Sequence, residues 1–142
     1  MKISLPDVNV LFALMTARHQ HQPAALGWMS QREPGSVAIC RVTQMGLLRL
    51  LTNPKALPEG AFTMARAWQL INEALSDRRI FFASEPPRIE VIWQSLSTMT
   101  GVGPSIWTDA YLAAFAQGHG YEMVTFDRGF RKWEDLQLQV LA

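Results

Sequence analysis

Short apolar runs alternate along this chain with longer segments in which apolar residues recur every three or four positions. The short runs predict strands, and the longer segments predict amphipathic helices. Strands are predicted at residues 2–6, 36–40, 79–83, 122–126 and 136–140. Helices are predicted at residues 8–17, 22–32, 61–75, 87–98 and 106–117, with one more that is capped by Thr43 and ends before Asn53, and a short helical turn at 127–132.

The alternation of strands and helices predicts an α/β fold with a parallel sheet and helices on both of its faces. The turn at residues 101–104 is predicted to be flexible, and no linker separates domains, so we expect a single domain over residues 1–142. In open parallel sheets, ligands bind beyond the carboxyl ends of the strands. Polar residues that follow the predicted strands are therefore the candidates for a site.

Composition narrows the classes of function. Hydrophobic residues make up 49% of the chain, charged residues 18%, and the net charge is +1. No apolar run is long enough to cross a membrane, and the lone Cys40 in a predicted apolar strand suits a packing role in a cytoplasmic protein. A net charge near zero gives no general attraction for nucleic acid, so RNA or DNA binding would need local cations. The candidates are Arg41, Arg49, Lys55, Arg128, Arg131 and Lys132.

Three aspartates lie within apolar stretches. Asp7 and Asp127 follow predicted strands, and Asp109 falls in the first turn of a predicted helix. Each alone has a structural explanation, because acids are favoured at helix starts and as N-caps. Together they predict a pocket for a divalent cation such as Mg²⁺ or Mn²⁺, which prefers oxygen ligands. Asn9 is expected to support Asp7 by hydrogen bonding.

Several other site types find no support in the sequence. No glycine-rich phosphate loop and no Gly-x-Ser-x-Gly elbow is present. The three histidines, His19, His21 and His119, do not have the spacing of a zinc site. A phosphatase or receiver domain also places acids at strand ends, but the first would need a second aspartate at Asn9, and the second an acidic pair near the first strand.

Four segments, in order, resemble the motifs of PIN-domain ribonucleases, and among them the VapC-type toxins of bacterial toxin–antitoxin pairs. Each motif is short, but their order and separation span nearly the whole chain. The segments are residues 5–11 (LPDVNVL), 42–54 (VTQMGLLRLLTNP), 108–113 (TDAYLA) and 124–130 (VTFDRGF).

This resemblance implies a three-layer α/β/α domain with a mainly parallel central sheet. It implies an Mg²⁺- or Mn²⁺-dependent endoribonuclease that hydrolyses RNA with metal-activated water and is inhibited by a cognate antitoxin. By the same resemblance Asp7 and Asp109 are the metal ligands, Asp127 completes the catalytic set directly or through water, and Thr125 orients the site. A homodimer is implied as well.

One position departs from the family pattern. Many PIN domains carry a glutamate in the second motif, whereas this chain has none between Glu33 and Glu59, with Gln44 or Gly46 in that neighbourhood. A neutral residue lowers the negative charge available to a cation. A second hypothesis is therefore a PIN-like module with weakened catalysis that acts through a protein or RNA partner. Arg49, on the same helix, is expected either to contact RNA phosphate or to pair with an acid.

Overall fold

The computed structural model describes residues 1–99 and 103–142 of the chain, and in that part five short strands alternate with six α-helices. The strands are β1 (Ser4–Pro6), β2 (Val37–Ile39), β3 (Ile80–Phe82), β4 (Glu122–Thr125) and β5 (Leu138–Val140). The helices are α1 (Val8–Met15), α2 (Gln22–Ser30), α3 (Arg41–Leu51), α4 (Met64–Leu75), α5 (Ile89–Thr98) and α6 (Ile106–His119). A 3-10 helix at Arg128–Lys132 follows β4.

The five strands form one sheet in the order β3-β2-β1-β4-β5. Every neighbouring pair is parallel, with Ser4 of β1 opposite Val37 of β2 on one side and Glu122 of β4 on the other. The predicted parallel sheet is confirmed. Since β1 is central, the residues that follow it lie in the middle of the sheet's carboxyl edge.

Successive residues of each strand point to opposite faces of the sheet, and both faces are buried. Leu5, Ala38 and Met123 pack into the same cluster as residues of α5 and α6. Val37 and Val124 pack against α1 and α2 on the other face, where α3 and α4 continue the layer. The three-layer α/β/α arrangement expected from the sequence is confirmed.

The start of α3 differs from the expectation. Helix α3 begins at Arg41, so its N-cap residue is Cys40 and Thr43 lies inside the first turn. The Thr43 hydroxyl accepts a hydrogen bond from the Cys40 amide (3.1 Å) and donates to the Cys40 carbonyl (2.9 Å). Thr43 therefore stabilises the helix start from its third position, and the Cys40 side chain is buried in the core, in accord with its predicted packing role.

Of the predicted turn at 101–104, residues 101 and 102 lie outside the described part of the chain. No helix in residues 1–99 and 103–142 is long and apolar enough to span a membrane.

Candidate functional site

Asp7 stands between the central strand and the first helix. It is the N-cap of α1, and its Oδ1 accepts a hydrogen bond from the Val8 amide (2.8 Å). Its other oxygen, Oδ2, accepts one from the hydroxyl of Thr125 (2.8 Å), at the end of the neighbouring strand β4. The Asp7 carboxylate is therefore fixed at the carboxyl edge of the sheet, as its position after a strand predicted.

Thr125 is fully buried and contacts three of the polar groups around it. Besides donating to Asp7, its hydroxyl accepts hydrogen bonds from the Asp127 amide (3.0 Å) and from Asn9 Nδ2 (3.4 Å). Asn9 Oδ1 in turn accepts from the Phe126 amide (3.4 Å). The expectation that Asn9 bonds to Asp7 is wrong, because Asn9 has turned with the first residues of α1 toward β4 and acts on Asp7 through Thr125.

The other two aspartates lie on elements that end at the same edge. Asp127 is the N-cap of the 3-10 helix, where its Oδ1 accepts a hydrogen bond from the Gly129 amide (2.7 Å). Asp109 lies in the first turn of α6, which begins after Ser105. Ser105 occupies the N-cap position of α6, but its side chain makes no capping hydrogen bond.

Mutual repulsion shows that the three carboxylates lie close together. Burial raises the pKa of Asp7 above its usual value, and the charge of Asp127 raises it further, against the lowering effect of the hydrogen bonds from Thr125 and the Val8 amide. Burial and the charges of Asp7 and Asp127 raise the pKa of Asp109 to about 6 from 3.8, although the charge of Lys132 lowers it. We call these three residues the acidic pocket.

The acidic pocket concentrates negative charge but does not present three ligands to one ion. Within the described residues, no three Asp, Glu, His or Cys side chains are arranged to bind a single cation together. Mg²⁺ and Mn²⁺ retain several waters, so two carboxylates are enough to hold either ion. Asp7 and Asp109, which repel each other and are both partly buried, have the chemistry for this role.

The residues of the second motif have separate structural roles. A Cβ on Gly46 would lie 2.9 Å from Val8 Cγ2, so Gly46 allows α3 to approach α1 beside Asp7. Gln44 is buried, and its Oε1 accepts a hydrogen bond from Arg41. Arg49 is exposed, and within the described residues it forms no ion pair. A cation rather than a carboxylate thus stands next to Gln44.

Sequence reasoning missed an aromatic group shared by α5 and α6. Trp107 and Tyr111, two residues either side of Asp109 on α6, contact Trp93 of α5 with ring centroids 6.4 and 5.4 Å apart. Their nearness to Asp109 in sequence was a usable signal, but the contribution of α5 depends on tertiary packing.

Comparisons with known proteins agree with the geometry. The family model described as PIN domain matches residues 4–136. Ribonuclease VapC41 of Mycobacterium tuberculosis is 39% identical over 145 aligned residues, covering 97% of this chain and 98% of that protein.

Solved structures share the fold at low identity. VapBC-1 from nontypeable Haemophilus influenzae superposes with a TM-score of 0.70 at 16% identity, covering 97% of both chains. A toxin–antitoxin complex from Klebsiella pneumoniae gives 0.65 at 21% identity, covering 94% of both chains. The PIN domain model matches most of the chain, and ribonuclease VapC41 is 39% identical to it over nearly the full length of both proteins. This chain therefore belongs to the PIN domain family and is similar to VapC ribonucleases.

Proposed function

We propose that this protein is a VapC-type toxin, an endoribonuclease that hydrolyses RNA phosphodiester bonds with the help of Mg²⁺ or Mn²⁺ and is inhibited by a cognate antitoxin. The observation that carries the proposal is the acidic pocket at the carboxyl edge of the sheet, where burial and the neighbouring charges of Asp7 and Asp127 raise the pKa of Asp109 to about 6. A relative named ribonuclease VapC41, similar over almost its whole length, supports the reaction class.

The residues of the acidic pocket suit a divalent cation. Carboxylates that repel one another at neutral pH are stabilised by a nearby positive charge, and all donors here are oxygen atoms. Asp7 and Asp109 would hold the ion. Asp127 would complete the set, directly or through water, with its Oδ1 oriented by the Gly129 amide.

When bound, the cation supplies an activated water for attack and neutralises charge on the phosphate. The chain's own residues set the geometry. The Thr125 hydroxyl and the Val8 amide each occupy one lone pair of an Asp7 oxygen, which leaves the other lone pair of each oxygen for a ligand. Lys132, whose charge reaches Asp109, would bind a phosphate of the RNA.

Exchanging each proposed ligand for its neutral isostere tests the function. Asp7→Asn and Asp109→Asn should each lower RNA cleavage by about 100-fold or more, since loss even of groups that merely orient metal ligands costs roughly 10- to 100-fold. Asp135→Asn, at an exposed aspartate outside the pocket, is the matched control and should cleave like the parent. Circular dichroism melts check that all three variants fold.

The neutral Gln44, hydrogen-bonded by Arg41, favours the alternative of a PIN-like module with weakened catalysis. Calorimetry with Mn²⁺ distinguishes this alternative from the ribonuclease proposal. Binding by the parent and its loss in Asp7→Asn support the nuclease. Undetectable binding at millimolar Mn²⁺, or Asn variants that cleave like the parent, would contradict it.

The proposal extends to partners. Similar folds occur in VapBC assemblies and in a toxin–antitoxin complex, which supports an antitoxin as inhibitor. A homodimer is proposed from the exposed apolar side chains, which include Met64 and Trp68 on α4 and Val91 on α5. Light scattering on the purified chain measures its mass and so tests the homodimer.

Sequencing of RNA ends after induction of the chain, with the Asp7→Asn variant as reference, identifies the RNA that is cleaved.

A further inference from the structure

An aromatic groove of about 480 Å³ lies beside the start of α6, the helix that carries Asp109. We call it the tryptophan groove, and it is lined by Arg41, Val42, Glu85, Trp93, Trp107, Thr108 and Tyr111. None of these side chains has a role in the acidic pocket, so the groove needs its own explanation.

The tryptophan groove lies on the same edge of the sheet as the acids. Arg41 begins α3 directly beyond β2, and Glu85 follows β3, while Thr108 precedes Asp109 on α6. Because β2 and β3 continue the sheet outward from β1, a chain crossing this edge would pass from the acids to the groove. A polymer held at Asp7 and Asp109 that runs along this edge toward β2 would reach the groove.

The aromatic surface is held in place but left open. Trp93 Nε1 donates a hydrogen bond to the Trp107 carbonyl (2.9 Å), and the two rings meet edge to face at 84°. The Tyr111 hydroxyl donates to Glu85 (2.6 Å), which satisfies that carboxylate on the groove wall. Trp107 nevertheless remains 62% exposed. A large aromatic side chain kept this open on a fixed support is typical of a binding surface.

Among the residues that the structure describes, the groove wall carries one cation, Arg41, and one carboxylate, Glu85, and these two residues form no ion pair with each other. The Arg41 guanidinium lies 4.5 Å from the ring centroid of Phe82 and donates to the neutral Gln44, so its charge is not neutralised by a carboxylate there. An unneutralised cation next to exposed aromatic rings is the combination that binds single-stranded nucleic acid, with bases stacked on the rings and phosphates near the cation.

We propose that the tryptophan groove binds an unpaired RNA base next to the phosphate cleaved at the acidic pocket, with the base stacked on Trp107 and Arg41 facing the backbone. The proposal rests on the proposed ribonuclease function and adds to it a base-binding site formed by the tryptophan groove. Stacking accepts any base, so the groove contributes affinity rather than base identity.

A binding experiment with two probes isolates stacking from backbone contacts. In the Asp7→Asn background with Mg²⁺ present, fluorescence anisotropy measures the Kd for a labelled oligoadenylate of about 12 nucleotides, within the site sizes of single-strand binding proteins. The second probe is a sugar–phosphate chain of equal length without bases. Adding Trp107→Ala should weaken oligoadenylate binding by about 5- to 150-fold and leave the baseless chain unchanged, because stacking is lost and backbone contacts are kept.

Two further variants serve as controls. Trp107→Phe keeps an aromatic ring and should retain most of the affinity. Trp68→Ala removes another exposed tryptophan, on α4 and outside the groove, and should bind both probes like its parent.

The possible outcomes distinguish a failure of the groove proposal from a failure of the proposed ribonuclease function. A Trp107→Ala variant that binds oligoadenylate normally, or loses both probes equally, overturns the groove proposal. So does a variant whose only defect is antitoxin binding or self-association. If the unsubstituted chain cleaves RNA while Trp107→Ala cleaves and binds equally well, the ribonuclease function stands and the groove proposal falls. If the unsubstituted chain does not cleave RNA, the function itself falls.

Discussion

Thr125 connects the two ends of the chain at the level of single atoms. One hydroxyl donates to the Asp7 carboxylate and accepts from the Asp127 amide, so the first and fourth motifs are joined through a buried side chain. A hydrogen bond to a buried carboxylate favours its charged form. Burial and the charge of Asp127 raise the pKa of Asp7, and the hydrogen bond from Thr125 opposes that rise.

The raised pKa of Asp109 predicts a pH-dependent cost to folding in the absence of metal. Its pKa is about 6 in the folded chain against 3.8 ordinarily, so the folded state holds the proton more tightly. The fold therefore loses stability as pH rises from about 4 to about 6, and the loss is complete above that range. With EDTA present, Asp109→Asn should be more stable than the parent at pH 7.5 by about 1–2 kcal/mol, allowing for partial solvent screening.

Urea unfolding at a series of pH values measures this difference, which should vanish near pH 4. Asp135→Asn, which removes a charge outside the acidic pocket, provides the reference. A stability difference that does not change with pH would show that Asp109 is not perturbed by its neighbours.

The three aspartates were recognisable in the sequence because a carboxylate in an apolar stretch is conspicuous. Their contacts were less predictable. Asn9 stands two residues from Asp7, yet its partners are Thr125 and Phe126, since the turn from β1 into α1 redirects side chains that are adjacent in sequence. Hydrogen-bond choice among neighbouring polar groups depends on tertiary distances that a linear pattern does not contain.

At the scale of elements, the close approach of α1 and α3 supports the acidic pocket. Gly46→Ala would place its Cβ 2.9 Å from Cγ2 of Val8, a short branched side chain that has little room to turn. Overpacking typically costs about 1–3 kcal/mol, and the better helix propensity of alanine returns about 1 kcal/mol. We expect a net loss of stability and lower RNA cleavage, because Val8 directly follows Asp7.

Gly27→Ala is the matched control, since Gly27 lies in α2 with no atom within 4 Å of the added carbon. It should gain about 0.5–1 kcal/mol. Thermal melts of the two variants should shift in opposite directions, and a stabilised Gly46→Ala would show that the helices separate without cost.

Most helices and strands were predictable from periodicity, since each buries a continuous apolar face. The start of α3 was not predictable in this way, because Thr43 is a residue type that is common at N-caps but here lies at the third helical position. Cys40, which is rarely considered as a cap, takes the N-cap position while it packs in the core. The tryptophan groove also escaped prediction, since Trp93 and Trp107 belong to different helices and meet only when α5 packs on α6.

For the molecule as a whole, the net charge of +1 means that RNA affinity must come from local contacts. Arg128 and Arg131 are exposed on the 3-10 helix that follows Asp127. For single strands, the slope of log K against log salt changes by about 0.7 per phosphate contact. The double variant Arg128→Gln with Arg131→Gln should therefore make the slope shallower by about 1.4.

Anisotropy titrations with oligoadenylate at several salt concentrations give this slope. Arg66→Gln, on α4 and paired with Glu73, removes one cation on a different element and, as the control, should leave the slope unchanged. An unaltered slope in the double variant would exclude both arginines from the RNA path.

The sheet order has a consequence for how the protein is made. Strand β1 pairs with β4, and Asp7 meets Thr125 across 118 positions of the chain. Contacts so distant in sequence form late and slowly. A ribosome that has translated the first hundred codons therefore carries a nascent chain without a complete pocket, because Asp109, Thr125 and Asp127 have not yet been made. A product released before that point could not assemble the pocket and would be inert toward RNA.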